Sequence, residues 1–379
     1  MELILKQYDI PLLRFSATND SSTPEIEVHW INEDQRHLLP LDMELSPEGI
    51  SRWMRRRTIP RNRAYVNRLL AKCGLNTNRP MGILALCKGL SVDDSYWVVE
   101  DGFEGTFERY NLFENRFSEV LALIAFTGYG SSNRSSLASS PEFTTNGMLP
   151  KCWRRISGKV TLYKGGTDGG YNTGAEPYCE YYAAQVAAAM GIDAIPYGLS
   201  QWKGRLCSTC ELFTDIDHAY MPIGNLVQRG GFDAVAAYYE NLGEPFQKAF
   251  RDMLVFDAVI CNVDRHFGNF GVMVDNRTNT IVSPASLFDH GNSLFNFAGA
   301  DAWANETALE EYIETLYPSV YDDFLGTAKA VLTPELREKL RHLLNFKFKK
   351  HSRYNLPEKR LRMMERQVQK RARILLLDM

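Results

Sequence analysis

Two carboxylates and a carboxamide in the last third of the chain have the types and spacing that phosphoryl transfer requires. Asp264 and Asn269 stand five positions apart in Asn262-Val263-Asp264-Arg265-His266-Phe267-Gly268-Asn269, a stretch that interrupts a helical pattern. Asp289 follows in Leu287-Phe288-Asp289-His290-Gly291, after the strand-like Thr280-Ile281-Val282. Phosphoryl transfer asks little covalent chemistry of a protein. It needs a carboxylate that orients the attacking hydroxyl, two oxygen ligands for Mg²⁺ and a lysine on the nucleotide phosphates. A carboxylate flanked by Phe and followed two positions on by Gly suits a turn at a strand end, where it can hold metal without burying an unpaired charge. Asp264 therefore reads as the base that accepts the hydroxyl proton, and Asp289 with Asn269 as the Mg²⁺ ligands. A second chemistry fits part of the set: Asp264, His266, Asp289 and His290 could gather a transition metal for hydrolysis. That reading leaves Lys164 and Glu180 without a role.

The elements that must position these groups are legible from periodicity. Lys159-Val160-Thr161-Leu162-Tyr163-Lys164 alternates like a strand, and Glu176 to Met190 is Ala-rich and helical with a stop at Gly191. The glycine pairs 165–166 and 169–170 lie between them, after the lysine and with no Gly-Lys-Ser/Thr, so they read as a flexible connection and not as a P-loop. Arg205 to Phe213 reads as a further strand; Phe232 to Leu242 and Pro245 to Cys261 read as helices. A sheet-bearing unit followed by a larger helical one predicts an α+β, bilobal protein.

Asn262-x-Asp264-Arg265-His266-x-x-Asn269 followed by Phe288-Asp289-x-Gly291 resembles the catalytic and metal-binding loops of the HipA-like serine/threonine kinase family, with a related arrangement in phosphatidylinositol kinases. Eukaryotic protein kinases place His and Arg before the aspartate, and this chain does not. The resemblance covers roughly residues 120 to 350. It implies a bilobal protein-kinase-like fold with a small sheet-containing N-lobe, a mostly helical C-lobe and an additional N-terminal subdomain, placed at 214–379 for the C-lobe, 119–213 for the N-lobe and 1–118 for the subdomain. ATP and Mg²⁺ are the implied cofactors. Lys164 resembles the lysine that contacts ATP phosphates and Glu180 the acid that pairs with it, with Glu176 as a rival. Asn146, Gly147, Met148 and Lys151 occupy the place of the phosphate-covering loop, whose glycine lets backbone N–H groups approach the nucleotide. Glu211, Leu212 and Phe213 resemble the segment whose backbone reads adenine. His266 either braces the loop or faces the phosphates. Thr144 and Thr145, with Ser139 and Ser140 nearby, stand where family members autophosphorylate a serine. The family also implies a toxin-type kinase that phosphorylates a cellular protein, such as a translation factor or an aminoacyl-tRNA synthetase, restrained by a HipB-like DNA-binding antitoxin. A lipid or small-molecule kinase, and a kinase-like DNA-regulatory module, are the alternative functions.

Composition sets the frame. The chain has 379 residues, 45% hydrophobic and 23% charged, as an ordinary globular protein does. No apolar run approaches the length of a membrane span and no leader pattern opens the chain, so a cytoplasmic protein without membrane contact is expected. Seven scattered cysteines predict reduced thiols, and Cys207-Ser208-Thr209-Cys210 lacks the second pair a zinc site needs. Ser46-Pro47-Glu48 opens a helix that runs through Trp53, and Ile59-Pro60 starts a second ending near Gly74. The arginines of this hairpin, Arg52, Arg55, Arg56, Arg57, Arg61 and Arg63, offer direct DNA contact as one reading and solvated side chains as the other. Ser131 to Thr145 reads as a mobile loop, and Trp53, Trp97 and Trp153 as packing anchors. The segment from Arg341 onward carries twelve Lys/Arg against three acids in a chain of net charge −3. Leu361, Met364, Val368, Ala372 and Leu375 recur there at helical spacing, which predicts an amphipathic terminal helix docked on the body.

Overall fold

Strand β1 (Glu2–Gln7) alternates outward and buried residues, with Leu3, Leu5 and Gln7 turned inward, as a half-buried strand must. The computed structural model, which describes residues 1–18, 24–130, 140–168 and 174–377, pairs it with β2 (Ile10–Ala17) and β4 (Tyr96–Glu100). With β3 (Ile26–Ile31) they make an antiparallel sheet of order β3-β2-β1-β4. One face packs Leu5, Leu13 and Phe15 against Ile50, Trp53 and Met54 of helix Pro47–Arg56. Across β4, Trp97 and Val99 join Phe107, Leu112, Trp153 and Val160 in a second core. All three expected tryptophan anchors are buried.

Helix Pro47–Arg56 begins as its sequence predicts. Ser46 Oγ accepts the Gly49 N–H at 3.1 Å, and Pro47 supplies the first helical position. Ser46→Ala removes that acceptor and is expected to cost about 1 kcal/mol, read as a lower urea midpoint. The second helix of the hairpin departs from expectation. It does not start at Pro60; residues 61–65 form turns, Tyr65 takes a left-handed φ of +59°, and the helix runs Val66–Lys72.

The turn is dictated by Arg63, whose guanidinium is fully buried against Glu142. Nη2 donates to Glu142 Oε2 at 2.6 Å and to Lys151 O at 2.9 Å, while Nη1 donates to Glu142 O at 2.6 Å and Thr145 O at 3.2 Å. Arg57 is likewise buried, with both terminal nitrogens on Asp94 and Nε on Gly89 O. Arg56 pairs with Asp42 and Arg52 with Glu44. The arginine hairpin is therefore not the shared DNA-facing surface that was one reading of it: Arg55 and Arg61 are exposed, but Arg57 and Arg63 are internal scaffolding. The same contacts correct the mobile-loop expectation at its far end, since Pro141, Glu142 and Phe143 are buried in a short 3₁₀ turn. Residues 131–139 lie outside the described residues.

Contacts divide the chain into two units. The first holds Met1–Lys164 with Glu211–Met221 and Met273–Val282, and the second holds Gly165–Cys210, Pro222–Val272 and Ser283–Met379. The first unit takes in all of the expected segment 1–118, and the returns at 211–221 and 273–282 come from the expected lobes. It carries the hairpin of β5 (Lys151–Ile156) and β6 (Lys159–Gly165), in register Lys151↔Lys164. The second carries β7 (Gly198–Trp202) paired with β8 (Arg205–Glu211), two residues shorter than predicted. Cys207 and Cys210 both lie in β8, and all seven cysteines are free thiols. The chain also forms β9 (His218–Pro222), β10 (Gly271–Asp275) and β11 (Thr280–Pro284), a sheet of order β11-β10-β9.

Helix Glu176–Met190 stops at Gly191 with φ +64°, as its sequence predicts. Helix Glu244–Ile260 is buried on every residue from Asp252 to Ile260, so it serves as an internal post. Helix Glu358–Leu376 buries Leu361, Met364, Val368, Ala372 and Leu375, the predicted stripe. Among the described residues no helix is long and apolar enough to cross a membrane.

Candidate active site

The internal post delivers the first half of the site. Helix Glu244–Ile260 ends because Cys261 adopts φ +51° and returns its N–H to Asp257 O. Residues 262–270 then close into a loop held by its own backbone. Asp264 N donates to Asn262 Oδ1 at 3.2 Å, and Asp264 O accepts from His266 N at 2.8 Å and from Asn269 Nδ2 at 3.0 Å. Because the Asn269 amide nitrogen is spent inside the loop, its oxygen is left as an acceptor that no described residue occupies. Asp264 Oδ2 accepts from Asn292 Nδ2 at 2.9 Å, and among the described residues Oδ1 takes no hydrogen bond.

Arg265 joins this loop to the second half. Its side chain is completely buried, and its Nε and Nη2 edge holds Asp257 at 2.9 and 3.0 Å. Nη1 donates to Asn269 O at 3.1 Å and to Phe288 O at 2.5 Å, and Nη2 lies 3.0 Å from His290 Nδ1. Burial pushes the Asp257 carboxyl up while Arg265 opposes it. At Arg265 burial works against the charge, but the attraction of Asp257 leaves it above its ordinary value. The guanidinium keeps its proton, so Asp257 is the counter-ion that allows a charge to sit at the centre of the site.

The Asp289 turn is anchored on both sides. Leu287 N donates to Asp193 O at 3.0 Å, and Ile195 N donates to Leu287 O at 2.8 Å. Asp289 itself has φ +55°, a left-handed conformation that costs a non-glycine residue about 1 kcal/mol or more and that aspartate tolerates better than most. Its N–H donates to Tyr197 Oη at 3.1 Å, and burial holds that hydroxyl well above its ordinary pKa, so it stays neutral. His290 N donates to Glu180 Oε2 at 2.7 Å, which ties the turn to helix Glu176–Met190. Gly291 has little room beside it: a Cβ there would lie 3.3 Å from Glu176 Cβ and 3.4 Å from Glu180 Oε1. Val263 N donates to Asn292 O at 3.1 Å, closing the loop and the turn on each other.

Asp264, Asn269, Asp289 and Glu180 are tied together in the second unit by the hydrogen bonds of Arg265, Asn292 and His290. Among the described residues no group of three or more His, Cys, Asp and Glu could hold a metal, which counts against the Asp264, His266, Asp289 and His290 cluster of the transition-metal reading. His266 is exposed, and its Nδ1 accepts the Gly268 N–H at 3.0 Å, which is the loop-bracing role. Glu176, the rival to Glu180, binds Thr167 through both its oxygens, accepting from the main-chain N–H and from the hydroxyl.

The remaining candidates belong to the first unit. Lys164 is buried near the end of β6. Gly147 has φ +89°, Lys151 Nζ donates to Asn146 O at 2.8 Å, Met148 O accepts from Ala64 N at 2.8 Å, and the Met148 side chain is exposed. Thr144 is buried with Oγ1 donating to Leu90 O at 2.9 Å. Thr145 Oγ1 donates to Pro141 O at 2.6 Å and accepts from Trp153 Nε1 at 3.0 Å. Glu211 pairs with Lys159 on the surface. Leu212 N donates to Val160 O at 2.9 Å, so this amide is spent on the backbone and is not the donor to adenine that the sequence expectation allowed it to be. Sequence reasoning missed Asp257, Tyr197 and Asn292. The first had a signal, a lone carboxylate inside the apolar run Met253-Leu254-Val255-Phe256-Asp257-Ala258-Val259-Ile260.

No protein-family model and no curated protein sequence matches the chain. Solved structures do. The proinflammatory kinase CtkA of Helicobacter pylori aligns over 60% of this chain and 92% of its own at 17% identity, with a TM-score of 0.47. The toxin–antitoxin structure of HipA with HipB and operator DNA from Shewanella oneidensis MR-1 aligns over 98% of this chain and 96% of its own at 12% identity, with a TM-score of 0.54. At that identity the HipA match shows the fold, and the chain has a HipA-like, α+β kinase fold.

Proposed function

We propose that this chain is a Mg·ATP-dependent kinase that transfers a phosphoryl group to a serine or threonine hydroxyl of a protein. One observation carries the reading: the buried Arg265 holds the Asp264–Asn269 loop and the Phe288–Asp289 turn in a single hydrogen-bonded body, in a chain of HipA-like fold. Asp264 is the base, with Asn292 holding Oδ2 and Oδ1 open to the attacking hydroxyl. Asn269 and Asp289 would hold Mg²⁺, which when bound neutralises charge on the phosphate oxygens. Lys164 and the segment Asn146–Lys151 supply contacts to the nucleotide phosphates, and the carbonyls around Glu211 and Phe213 contact adenine. Of the two loop threonines Thr145 is the better phosphoacceptor, being less buried than Thr144, and a phosphate on it would remove the proton that Oγ1 donates to Pro141 O. A HipB-like protein is the natural partner to seek, and the cytosol the compartment, in keeping with seven free cysteines.

The test is label transfer from γ-labelled ATP with Mg²⁺ in a cell lysate, beside parallel reactions on lipid extract and on the small-molecule fraction. Label on protein serine or threonine is the expected result. Label confined to lipid or metabolite would move the assignment to those acceptors, and no transfer above a blank would end the kinase reading.

A further inference from the structure

The two segments that frame Asp264 are held in backbone conformations that some of their residues resist. Among the described residues ten that are not glycine have a left-handed φ, and four of them fall here: Cys261 at +51°, Asp289 at +55°, Leu294 at +49° and Phe295 at +63°. Aspartate tolerates that conformation, and a helix commonly ends on one such residue, as at Cys261. Neither reason covers Leu294 and Phe295, two bulky residues in succession. Strain of that kind persists only where the surroundings enforce it.

Apolar packing enforces it here. Leu294 and Phe295 are fully buried, and the Phe295 ring lies 6.4 Å from that of Trp303. Leu294 N donates to Ile260 O at 2.7 Å and Val263 N to Asn292 O at 3.1 Å, two bonds that zip the segment to the end of the internal post. The next residue opposes this closure. Asn296 is 2% exposed, and neither its amide nitrogen nor its amide oxygen has a hydrogen bond, so closing the segment takes a carboxamide out of water without replacing its partners. Burial of Leu294 and Phe295 favours the closed arrangement, while the left-handed turn and the unpaired carboxamide favour leaving it. Opposed local effects of this kind let a segment open at a free energy well below that of the whole chain.

We propose that residues 292–298 are a two-state switch on the Asp264 site. In the closed state, which the structure shows, Asn292 Nδ2 donates to Asp264 Oδ2 at 2.9 Å and fixes the carboxylate. In the open state Leu294 and Phe295 relax to ordinary φ, the Leu294–Ile260 and Val263–Asn292 bonds break, Asn296 meets water and Asn292 leaves Asp264. The Asp264 loop survives opening, because Asp264 O keeps His266 N and Asn269 Nδ2. Only the orientation of the carboxylate is lost. That this governs transfer rests on the reading of Asp264 as the base; the switch itself rests on backbone and packing.

Hydrogen exchange of the full chain, read residue by residue at low urea, tests the switch. The Val263 and Leu294 amides are expected to exchange through one shared opening that depends little on urea, ahead of the amides of Asp252–Ile260, which wait for global unfolding. Asn296→Leu removes the unpaired carboxamide and is expected to slow both amides about tenfold. Leu294→Ile keeps the volume and makes a left-handed φ harder to hold, and is expected to speed both about threefold. The Asn269 amide, bonded to His266 O within the loop, should follow neither variant. Exchange of Val263 and Leu294 only through global unfolding, unequal opening free energies for the two, or an unchanged rate in Asn296→Leu would overturn the switch. Asn292→Ala reproduces the open state at Asp264 alone and is expected to lower kcat about tenfold while the KM for ATP stays put; an unchanged kcat would overturn the control of transfer. Exchange needs no transfer, so a wild type that transfers nothing would fault the kinase reading and not the switch.

Discussion

On the proposed kinase reading, Asp264→Asn protein is expected to fold and bind Mg·ATP as the wild type does, and to transfer phosphate about 10²–10⁴-fold more slowly, the usual contribution of a positioned base. The substitution is nearly isosteric, and the loop bonds at this position run through the main chain: Asp264 O accepts from His266 N and Asn269 Nδ2, and Asp264 N donates to Asn262 Oδ1. None of these depends on the carboxylate. The amide oxygen can still accept from Asn292 Nδ2, so the side chain keeps its orientation. What disappears is the capacity to take a proton from a hydroxyl. Melting temperature and nucleotide affinity should therefore stay close to wild type while label transfer collapses. A transfer rate within a few-fold of wild type would remove Asp264 from the role of base.

The largest loss of stability is expected from Asp257→Ala. Arg265 would then be a fully buried cation with no counter-ion, and breaking a buried pair on one side costs about 3–5 kcal/mol. The damage would spread to function, because the same guanidinium holds Asn269 O and Phe288 O. The urea midpoint should fall sharply, and transfer activity with it. The double variant Asp257→Ala/Arg265→Met removes both charges and should recover much of the stability but none of the activity, since the loop and the turn would no longer share an anchor. If the single variant lost less than about 1 kcal/mol, the pair could not be the support it is taken to be here.

Arg265 and Arg63 mark how far sequence reading reached. Arg265 lies inside the motif, but its own task, joining two segments twenty-three residues apart, is set by the tertiary hydrogen bond to Phe288 O. Arg63 stood in a basic cluster, which ordinarily means solvent, and is one of the most buried charges in the first unit. The carboxylate that pays for its burial, Glu142, is seventy-nine positions away.

The sequence by itself determined what is local. Period-2 alternation placed β6, capping residues placed the start of helix Pro47–Arg56 and the stop of helix Glu176–Met190, and the spacing of Asp264, Asn269 and Asp289 marked the candidate chemistry. Those signals act over a few residues, where backbone geometry and side-chain type decide the outcome. Tertiary structure alone decided which charges are inside and what they meet. It made Arg63 and Arg57 scaffolding, committed the Leu212 amide and the Thr144 hydroxyl to backbone partners, and stacked Arg360 on Trp303. Burial and pairing are properties of residues distant in sequence, and the cost of an unpaired buried charge is settled only when the whole chain has closed around it.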